Sequence, residues 1–596
     1  MLYLIILFIA VVFAIDYNAY LYFYTPKNYL LMLLTPLTLL IFFIINHIKS
    51  KQLKFKISIL EILLLMQIIW MEITNINFLT HPSSQAFYVT LSLLLITFIV
   101  RQLQSKDDHE KQNKYIIYFL RTLWICGLIE ALIGFYQFYS FYGVTIQAIK
   151  TPMTGTVGLP NGYGLFLAIS IIAAFIDIRK GTTFIHRLLI YISILIILSA
   201  LVLNGSRGAL LGLIVAGLGF LSVKYKFFIF AKKKLQLLIV IPVLIICLIG
   251  STWLLYKVNP ESSSGRLMVW RISFPMLLDN PVFGVGQEKV AVEYLNYQAL
   301  FFEDQMNMKW AYKATNLKQI QNEYLQAFCE RGIIGGILFL LIWMIPLPGL
   351  YRHYREDPQN RKGYLILLLM LGTILIHSMV DTPMHLLPIS IVSISIFGLV
   401  PYKKYEWSFS ASKSLSVMIL TILFIYSIFM LYKIIKEYPA YYYWQKGVDA
   451  TQQIKWEEGV QYYRKALENL PDQGELEFHL GSALVFTGKL DEATTHLDKA
   501  TDNFNDRNLH LSLAYANLRN HQYEIAEKHT LTALKMFPDH LAPHLLLGEI
   551  YYYLGNFNRS KYSLMKCINK DTHIESAEVE QIARDAQRLW KKFYLY

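Results

Sequence analysis

Long apolar runs alternate with short polar connections along the chain up to about residue 435. A helix needs roughly 20 apolar residues to cross the hydrocarbon core of a bilayer. The runs have about that length, so they predict an all-α polytopic bundle of about thirteen membrane-spanning helices. The predicted spans lie near 2–24, 29–48, 57–74, 86–103, 116–141, 161–178, 188–203, 206–225, 237–258, 332–350, 364–384, 385–400 and 414–435.

The pattern changes at about Ala440, where amphipathic helices with a fixed period replace the apolar runs. Small residues recur there in three series, each with steps of 34, 33 and 34 residues. This period is typical of tetratricopeptide repeats, and it predicts an α-solenoid with four repeats at 440–574 and a capping helix at about 575–593. Such arrays usually bind a peptide or a partner protein. The three series are Gly447, Gly481, Ala514 and Gly548; Gly459, Ala493, Ala526 and Ser560; and Ala466, Ala500, Ala533 and Cys567.

A polar segment at 259–331 separates two of the apolar runs. The sequence therefore predicts a membrane domain at 1–437 that carries 259–331 as a large loop, and a repeat domain at 438–596. The first run has no basic start and no small-residue cleavage site, so we expect it to be retained as a span.

Composition agrees with a membrane protein, because 55% of the residues are hydrophobic and only 16% are charged. The formal net charge of +13 would suit a nucleic-acid-binding protein. The positive residues, however, form short clusters between apolar runs, which is the pattern of cytoplasmic loops. We therefore expect no nucleic-acid partner. The four cysteines are scattered and predict neither a disulfide framework nor a metal site.

The basic clusters define a topology, because lysine and arginine accumulate in cytoplasmic loops. With the N-terminus inside, every cluster falls on the cytoplasmic side, and the connection 75–85 on the opposite side carries no positive charge. This topology puts 259–331, Asn161, 204–208, the 377–385 corner and the C-terminal domain outside. The basic residues concerned are Lys49, Lys51, Lys54, Lys56, Arg101, Lys106, Lys111, Lys114, Arg179, Lys180, Arg187, Lys224, Lys226, Lys232, Lys233, Lys234, Arg352, Arg355, Arg361, Lys362, Lys403 and Lys404.

Two arginines are candidates for binding an anion on the outer side. Arg207 lies at the junction of two spans, and Arg266 opens the polar segment. A guanidinium donates paired hydrogen bonds to phosphate oxygens, so the two together suit a diphosphate. Arg207 would alternatively be an interfacial anchor and Arg266 a solvated loop charge. Glycine-rich stretches at 155–164 and 332–336 run directly into spans, and they suit either close backbone approach to an anion or close helix packing.

Several weak motifs occur in an order that resembles the O-antigen ligase and polymerase superfamily, which includes bacterial protein O-oligosaccharyltransferases. The resemblance covers about 141–400, and all of its motifs lie on the outer side of the topology above. The motifs are Pro160 with Asn161; Ser206, Arg207 and Gly208; Arg266 with Trp270; Pro281 with Gly284 and Gly286; and Asn322 with Gly332 and Gly335.

The resemblance implies a GT-C-like membrane glycosyltransferase in the bacterial inner membrane. It implies inverting, metal-independent transfer of a glycan from undecaprenyl diphosphate, without a cofactor, to a hydroxyl acceptor on the periplasmic side. The acceptor would be a protein Ser or Thr, lipid A-core, or a growing glycan in the polymerases. Arg207 and Arg266 would hold the diphosphate. The other motif residues expected to contact substrate are Asn161, Ser206, Trp270 and Asn322.

The position at which the resemblance implies a catalytic histidine holds Gln321. Glutamine has no basic site at physiological pH, so it cannot take a proton from the acceptor. Gln321 would then orient the acceptor, and Glu323, His377 or His385 would be the base, unless the diphosphate itself takes the proton. His377 and Asp381 are four residues apart and would share a helix face if the helix continues that far. His377 would otherwise be a packed or interfacial histidine.

Two other classes of protein also have many spans. A transporter for lipid-linked glycans would use internal arginines, but it needs a midplane site open to both sides, whereas the polar motifs here lie on one face. A sensor would use the membrane part only as an anchor, for which about thirteen spans are far more than required.

Overall fold

The computed structural model of the chain describes residues 1–50, 53–74, 85–103, 109–142, 153–178, 183–224, 260–287, 289–402 and 405–595. This part of the chain is almost entirely helical, which confirms the all-α class. The predicted span at 237–258 lies outside the described residues.

In the described part of the chain, fifteen helices precede residue 453: α1 (Leu2–Phe13), α2 (Thr25–Ser50), α3 (Ile59–Thr74), α4 (Gln85–Gln102), α5 (His109–Tyr142), α6 (Pro160–Ala174), α7 (Phe184–Asn204), α8 (Arg207–Lys224), α9 (Pro260–Asp279), α10 (Val290–Glu303), α11 (Glu323–Met344), α12 (Pro346–Glu356), α13 (Arg361–His377), α14 (Leu387–Leu399) and α15 (Lys413–Gln452). Short 3-10 helices occur at Phe175–Asp177, Gln305–Lys313 and Pro383–His385. Strands β1 (Lys54–Ser58) and β2 (Glu406–Ser410) form an antiparallel pair, with Phe55 opposite Phe409, that the hydrophobic pattern did not predict.

Each of the predicted apolar runs that the structure describes contains a helix. Among the described residues, seven helices are long and apolar enough to cross a membrane. Three shorter apolar helices occur at Leu2–Phe13, Arg207–Val223 and Leu387–Leu399. The first predicted run is wrong at its end, since α1 ends at Phe13 and turns follow before α2. The chain is therefore a multi-pass membrane protein.

The described chain divides into two compact units, of which the first contains Met1–Tyr17, Leu21–Arg266 and Gln321–Ile434. Buried polar contacts tie helix ends together in this unit. The buried Arg101 side chain lies 3.1 Å from the Glu61 carboxylate and donates to the carbonyl of Phe397. Lys362 Nζ donates to the carbonyl of Ile178 at 2.6 Å. These contacts join helix ends that the basic clusters assign to one side of the membrane.

Helix α11 is kinked at Gly332, whose backbone has φ 64° and ψ −169°. This region is essentially restricted to glycine, because a Cβ atom would clash with the backbone. The kink frees the carbonyl of Arg331 from the helix, and Trp70 Nε1 donates to it at 2.8 Å. A Cβ added to Gly335 would lie 2.3 Å from Arg331 Cβ. The glycines at 332 and 335 therefore serve a helix kink and close packing.

The second unit contains Asn18–Tyr20, Leu267–Ile320 and Ile435–Tyr596. Beyond α15 it has eight helices: α16 (Trp456–Leu467), α17 (Gly474–Phe486), α18 (Leu490–Ala500), α19 (Arg507–Arg519), α20 (Tyr523–Met536), α21 (Leu541–Tyr553), α22 (Phe557–Ile568) and α23 (Ala577–Tyr594). Small residues lie where paired helices cross, since a Cβ added to Gly481 or to Gly548 would lie 2.6 Å from Leu497 or Leu564.

The polar segment is largely helical within this unit. Gln298, on α10, is buried and donates from Nε2 to the carbonyl of Met536 at 2.9 Å. Asn505 Nδ2 donates to the carbonyl of Val292 at 3.1 Å, and Glu303 pairs with Lys535 at 3.1 Å. Leu267–Ile320 therefore packs on the C-terminal helices as part of one compact unit.

Candidate active site

The corner between α7 and α8 positions Arg207. Asn204 Nδ2 donates to the carbonyls of Met153 at 2.8 Å and Pro160 at 3.0 Å, and Asn204 Oδ1 accepts from the backbone N–H of Ser206 at 3.2 Å. One buried amide thus connects the segment before α6, the start of α6 and the start of α8. Because α8 begins at Arg207, these bonds fix the backbone that carries its guanidinium.

Two glycines, which have no side chain, allow the neighbouring helices to approach this corner. A Cβ added to Gly164 would lie 2.4 Å from Ser206 Cβ, and one added to Gly208 would lie 2.8 Å from His377 Nδ1. The hydroxyl of Ser206 donates to the carbonyl of Asn161 at 3.5 Å. Close helix packing therefore accounts for Gly164, and it brings Asn161, Ser206 and His377 to the same end of the bundle.

Arg207, Arg266 and Asp381 are close enough for their charges to interact. Burial lowers the pKa of the Arg266 guanidinium, the Asp381 carboxylate raises it, and the charge of Arg207 lowers it again, so that this pKa lies below its usual value. A guanidinium nevertheless remains protonated in proteins. The Nε atom of Arg266 is buried and makes no hydrogen bond within the described part of the chain. The corner thus holds two like charges together.

Asp381 compensates part of this positive charge. Burial alone would raise the pKa of its carboxyl, but the neighbouring His377 imidazole, the backbone N–H of Thr382 and the Arg266 charge hold that pKa below its usual value. Asp381 is therefore a carboxylate at neutral pH. Burial and the charge of Asp381 raise the pKa of Tyr24 to about 12. Tyr24, just before α2, therefore lies near Asp381, and no sequence motif pointed to it.

The predicted pairing of His377 with Asp381 is present, but not within a continuous helix. Helix α13 ends at His377, and a turn brings Asp381 Oδ2 to 3.4 Å from His377 Nε2. The His377 side chain is only 1% exposed, and both of its ring nitrogens are buried. It is a packed residue that contacts the Asp381 carboxylate.

The segment from Gln321 to Glu323 is attached to the same turn. Asn322 caps α11 by accepting from the N–H of Leu325 at 3.0 Å, and its Nδ2 donates to the carbonyl of Met379 at 3.1 Å. The backbone N–H of Glu323 donates to the carbonyl of Asp381 at 3.0 Å. Gln321 precedes the cap with φ 56°, and its side chain is exposed. Asn322 therefore holds the turn in place.

Glu323, Glu330 and His385 form a second group, which we call the carboxylate cluster. His385 Nε2 lies 3.8 Å from Glu323 Oε1 and 3.7 Å from Glu330 Oε1. Both carboxyl groups are buried, and Glu323 Oε2 accepts from the N–H of Met384 at 2.9 Å. Glu330 was missed from the sequence, because it lies in the polar segment 259–331, just before the predicted span at 332–350.

Trp270, the remaining predicted contact residue, belongs to the second unit. Its indole Nε1 is buried and makes no hydrogen bond to any described residue. Among the described residues, no group of three or more His, Cys, Asp or Glu side chains could hold a metal ion.

A comparison with protein-family sequence models finds a match at residues 192–340 to the family described as O-Antigen ligase. The match supports the O-antigen ligase superfamily for this part of the chain. The matched region includes Arg207, Arg266 and the segment from Gln321 to Gly335, whereas His377 to His385 lie beyond it. The match supports a membrane glycosyltransferase-like ligase or polymerase.

A relative in Haemophilus influenzae, named only as an uncharacterized protein, is 25% identical over 174 residues. The alignment covers 26% of this chain and 42% of the relative, so the chain spans less than half of that protein's length. The family match at residues 192–340 is therefore more informative about this chain than the relative is.

Proposed function

We propose that the protein transfers a glycan from undecaprenyl diphosphate to a hydroxyl acceptor on the periplasmic side of the inner membrane. The donor and acceptor meet at the corner formed by α8, the start of α11 and the 377–385 turn. The observation that carries this proposal is the paired charge of Arg207 and Arg266 beside Asp381.

Two guanidiniums held together repel each other, and an anion between them relieves this repulsion. A departing diphosphate gains negative charge as its bond to the sugar breaks. Preorganised cations stabilise that charge more in the transition state than in the ground state, which accelerates the transfer. The negative charge of Asp381 offsets part of the positive charge at Arg266. In this inverting, metal-independent reaction, Ser206, Asn161 and Asn322 define the backbone around the donor.

We also propose that α16–α23 are a periplasmic tetratricopeptide array. Helices α16, α18, α20 and α22 begin at Trp456, Leu490, Tyr523 and Phe557, which are 34, 33 and 34 residues apart. This spacing reproduces the period of the small residues. An array of this kind favours a protein acceptor or a partner protein.

Mass spectrometry of candidate acceptors tests the function. Purified protein is incubated with an undecaprenyl-diphosphate glycan and, separately, with a Ser/Thr-containing peptide, lipid A-core or a second lipid-linked glycan. We expect one acceptor to gain the mass of the glycan, and its identity distinguishes protein transfer, ligation and polymerisation. No modified acceptor, together with movement of the lipid-linked glycan across a vesicle membrane, would favour a transporter and contradict the proposal.

His377→Ala is expected to lower transfer more than Gln321→Ala. His377 is the buried neighbour of Asp381, and removal of a buried polar partner costs about 1–3 kcal/mol, which corresponds to about 5- to 160-fold in rate. Gln321 is exposed, so its truncation has little effect. The initial rates of the two variants are measured at saturating donor and compared. Their melting temperatures in detergent are measured as well, to show that neither variant is unfolded. The reverse ranking would return the main role to Gln321.

A further inference from the structure

Transfer to a hydroxyl requires a group that takes the acceptor proton as its oxygen attacks the sugar. The Gln321 amide cannot do so, and the His377 ring is 1% exposed with both nitrogens buried. Glu323 and Glu330 are also enclosed, with side chains 4% and 1% exposed. His385, at 20% exposed, is the histidine of this corner that an acceptor can reach.

We propose that His385 is the general base and that Glu323 and Glu330 position it. The inference rests on the proposed function and names a catalytic group for it. His385 ends the 3-10 helix Pro383–His385, directly after the turn that carries Asp381. The backbone N–H of Met384, next to it, donates to Glu323 Oε2 at 2.9 Å. This hydrogen bond connects the backbone next to His385 to α11.

The two carboxylates define the tautomer of His385. They lie 3.7 and 3.8 Å from Nε2, so they favour a hydrogen on that nitrogen and leave the lone pair on Nδ1. This is the arrangement of a base oriented by a carboxylate, and such contacts tighten when substrate binds. The carboxylates also stabilise the positive imidazolium that forms.

The step then balances without another reactant. Nδ1 of His385 takes the proton of the acceptor hydroxyl, whose oxygen forms a bond to the anomeric carbon. The bond from that carbon to the diphosphate oxygen breaks, and the diphosphate leaves with the electron pair beside Arg207 and Arg266.

The rest of the cluster holds Glu330 in place. Gln326 Nε2 donates to Glu330 Oε1 at 2.7 Å, and Arg331 lies 3.1 Å from Glu330 Oε2. The positive charge of Arg331 also interacts with the carboxyl group of Glu323. The charged groups around His385 are therefore two carboxylates and one guanidinium, all from α11.

The test compares His385→Gln with His186→Gln, a matched change of an exposed histidine at the start of α7. We expect His385→Gln to lower kcat by about 10²–10⁴-fold, the usual contribution of a general base. The KM for the undecaprenyl-diphosphate glycan should stay unchanged, because the arginines bind the donor. His186→Gln should retain wild-type rates. A wild-type kcat for His385→Gln would overturn the assignment.

Two further measurements separate catalysis from a structural effect. Added imidazole should partly restore transfer by His385→Ala, since the His385 side chain is partly exposed and its removal leaves space for the ring. Glu330→Gln should move the acidic limb of the pH–rate profile to lower pH, because the imidazolium loses a stabilising carboxylate. Absence of rescue together with an unmoved limb would overturn the proposal even if His385→Gln fails to fold.

Failure of the proposed function gives a different result. If the wild-type protein modifies no acceptor, the function is wrong and His385 has no such role. If the wild-type protein transfers glycan, and His385→Gln does so with the same kcat and pH profile, only the base assignment is wrong.

Discussion

Arg207→Ala and Arg266→Ala should each abolish glycan transfer while the protein still inserts into the membrane. Removal of one preorganised donor to a developing negative charge typically costs on the order of 10²–10³-fold in rate. The loss should be at least that large here, because each arginine carries a full charge in a partly buried site. Donor binding should weaken as well, since the diphosphate is present before the reaction. Transfer is measured with undecaprenyl-diphosphate glycan and the acceptor identified by mass spectrometry.

Lysine substitutions and a distant arginine provide the controls. Arg207→Lys and Arg266→Lys keep the charge but lose the paired donors, so they should retain part of the activity. Arg352 is exposed, pairs with Glu356 four residues away, and lies in a predicted cytoplasmic loop. Arg352→Ala should therefore transfer glycan at the wild-type rate. Normal transfer by either alanine variant of Arg207 or Arg266 would refute their role in holding the diphosphate.

Gly332→Ala should have the second large effect, on stability as well as on activity. The backbone of Gly332 lies at φ 64° and ψ −169°, where a residue with a Cβ atom is strained by about 1–3 kcal/mol. Relief of this strain would straighten α11 and withdraw the Arg331 carbonyl from Trp70. Glu330 and Arg331, which immediately precede the kink, would then move relative to His385. We expect a lower melting temperature in detergent and slower transfer.

Gly372→Ala is the matched control for this substitution. Gly372 lies inside α13, and a Cβ atom added there meets no other atom within 4 Å. Alanine favours a helix over glycine by about 1 kcal/mol, so this variant should be as stable as wild type or slightly more stable. An unchanged melting temperature and rate for Gly332→Ala would show that the kink contributes to neither property.

The carboxylate cluster illustrates why part of the site escapes a reading of the sequence. Glu323 and Glu330 are seven residues apart on α11, and this spacing alone places them on one helix face. His385 is distant in the chain, and the turn after α13 is what brings it to both carboxylates. The same turn pairs His377 with Asp381 after the helix has ended. Helical spacing therefore predicted the correct pair, although the turn and not a continuous helix brings the two side chains together.

The polar segment 259–331 shows a similar division. Its polarity separates it from the neighbouring spans, and the sequence therefore predicts a large loop. Within this segment the structure shows α9, α10 and a 3-10 helix, with Gln298 buried against the carbonyl of Met536. No periodicity in one segment indicates a partner more than 200 residues away. Packing decides such contacts, because they depend on which surfaces meet after the helices form.

The sequence by itself determined the all-α class, the positions of the apolar helices, the period of the C-terminal helices and the pair of arginines. These follow from local physics: the length of apolar runs, helical spacing and the charge of single residues. Only the tertiary structure joined Tyr24, Asp381, Glu330 and His385 to the motif residues and placed Leu267–Ile320 with the C-terminal helices. Those relations depend on contacts between distant segments, and a local pattern carries no information about them.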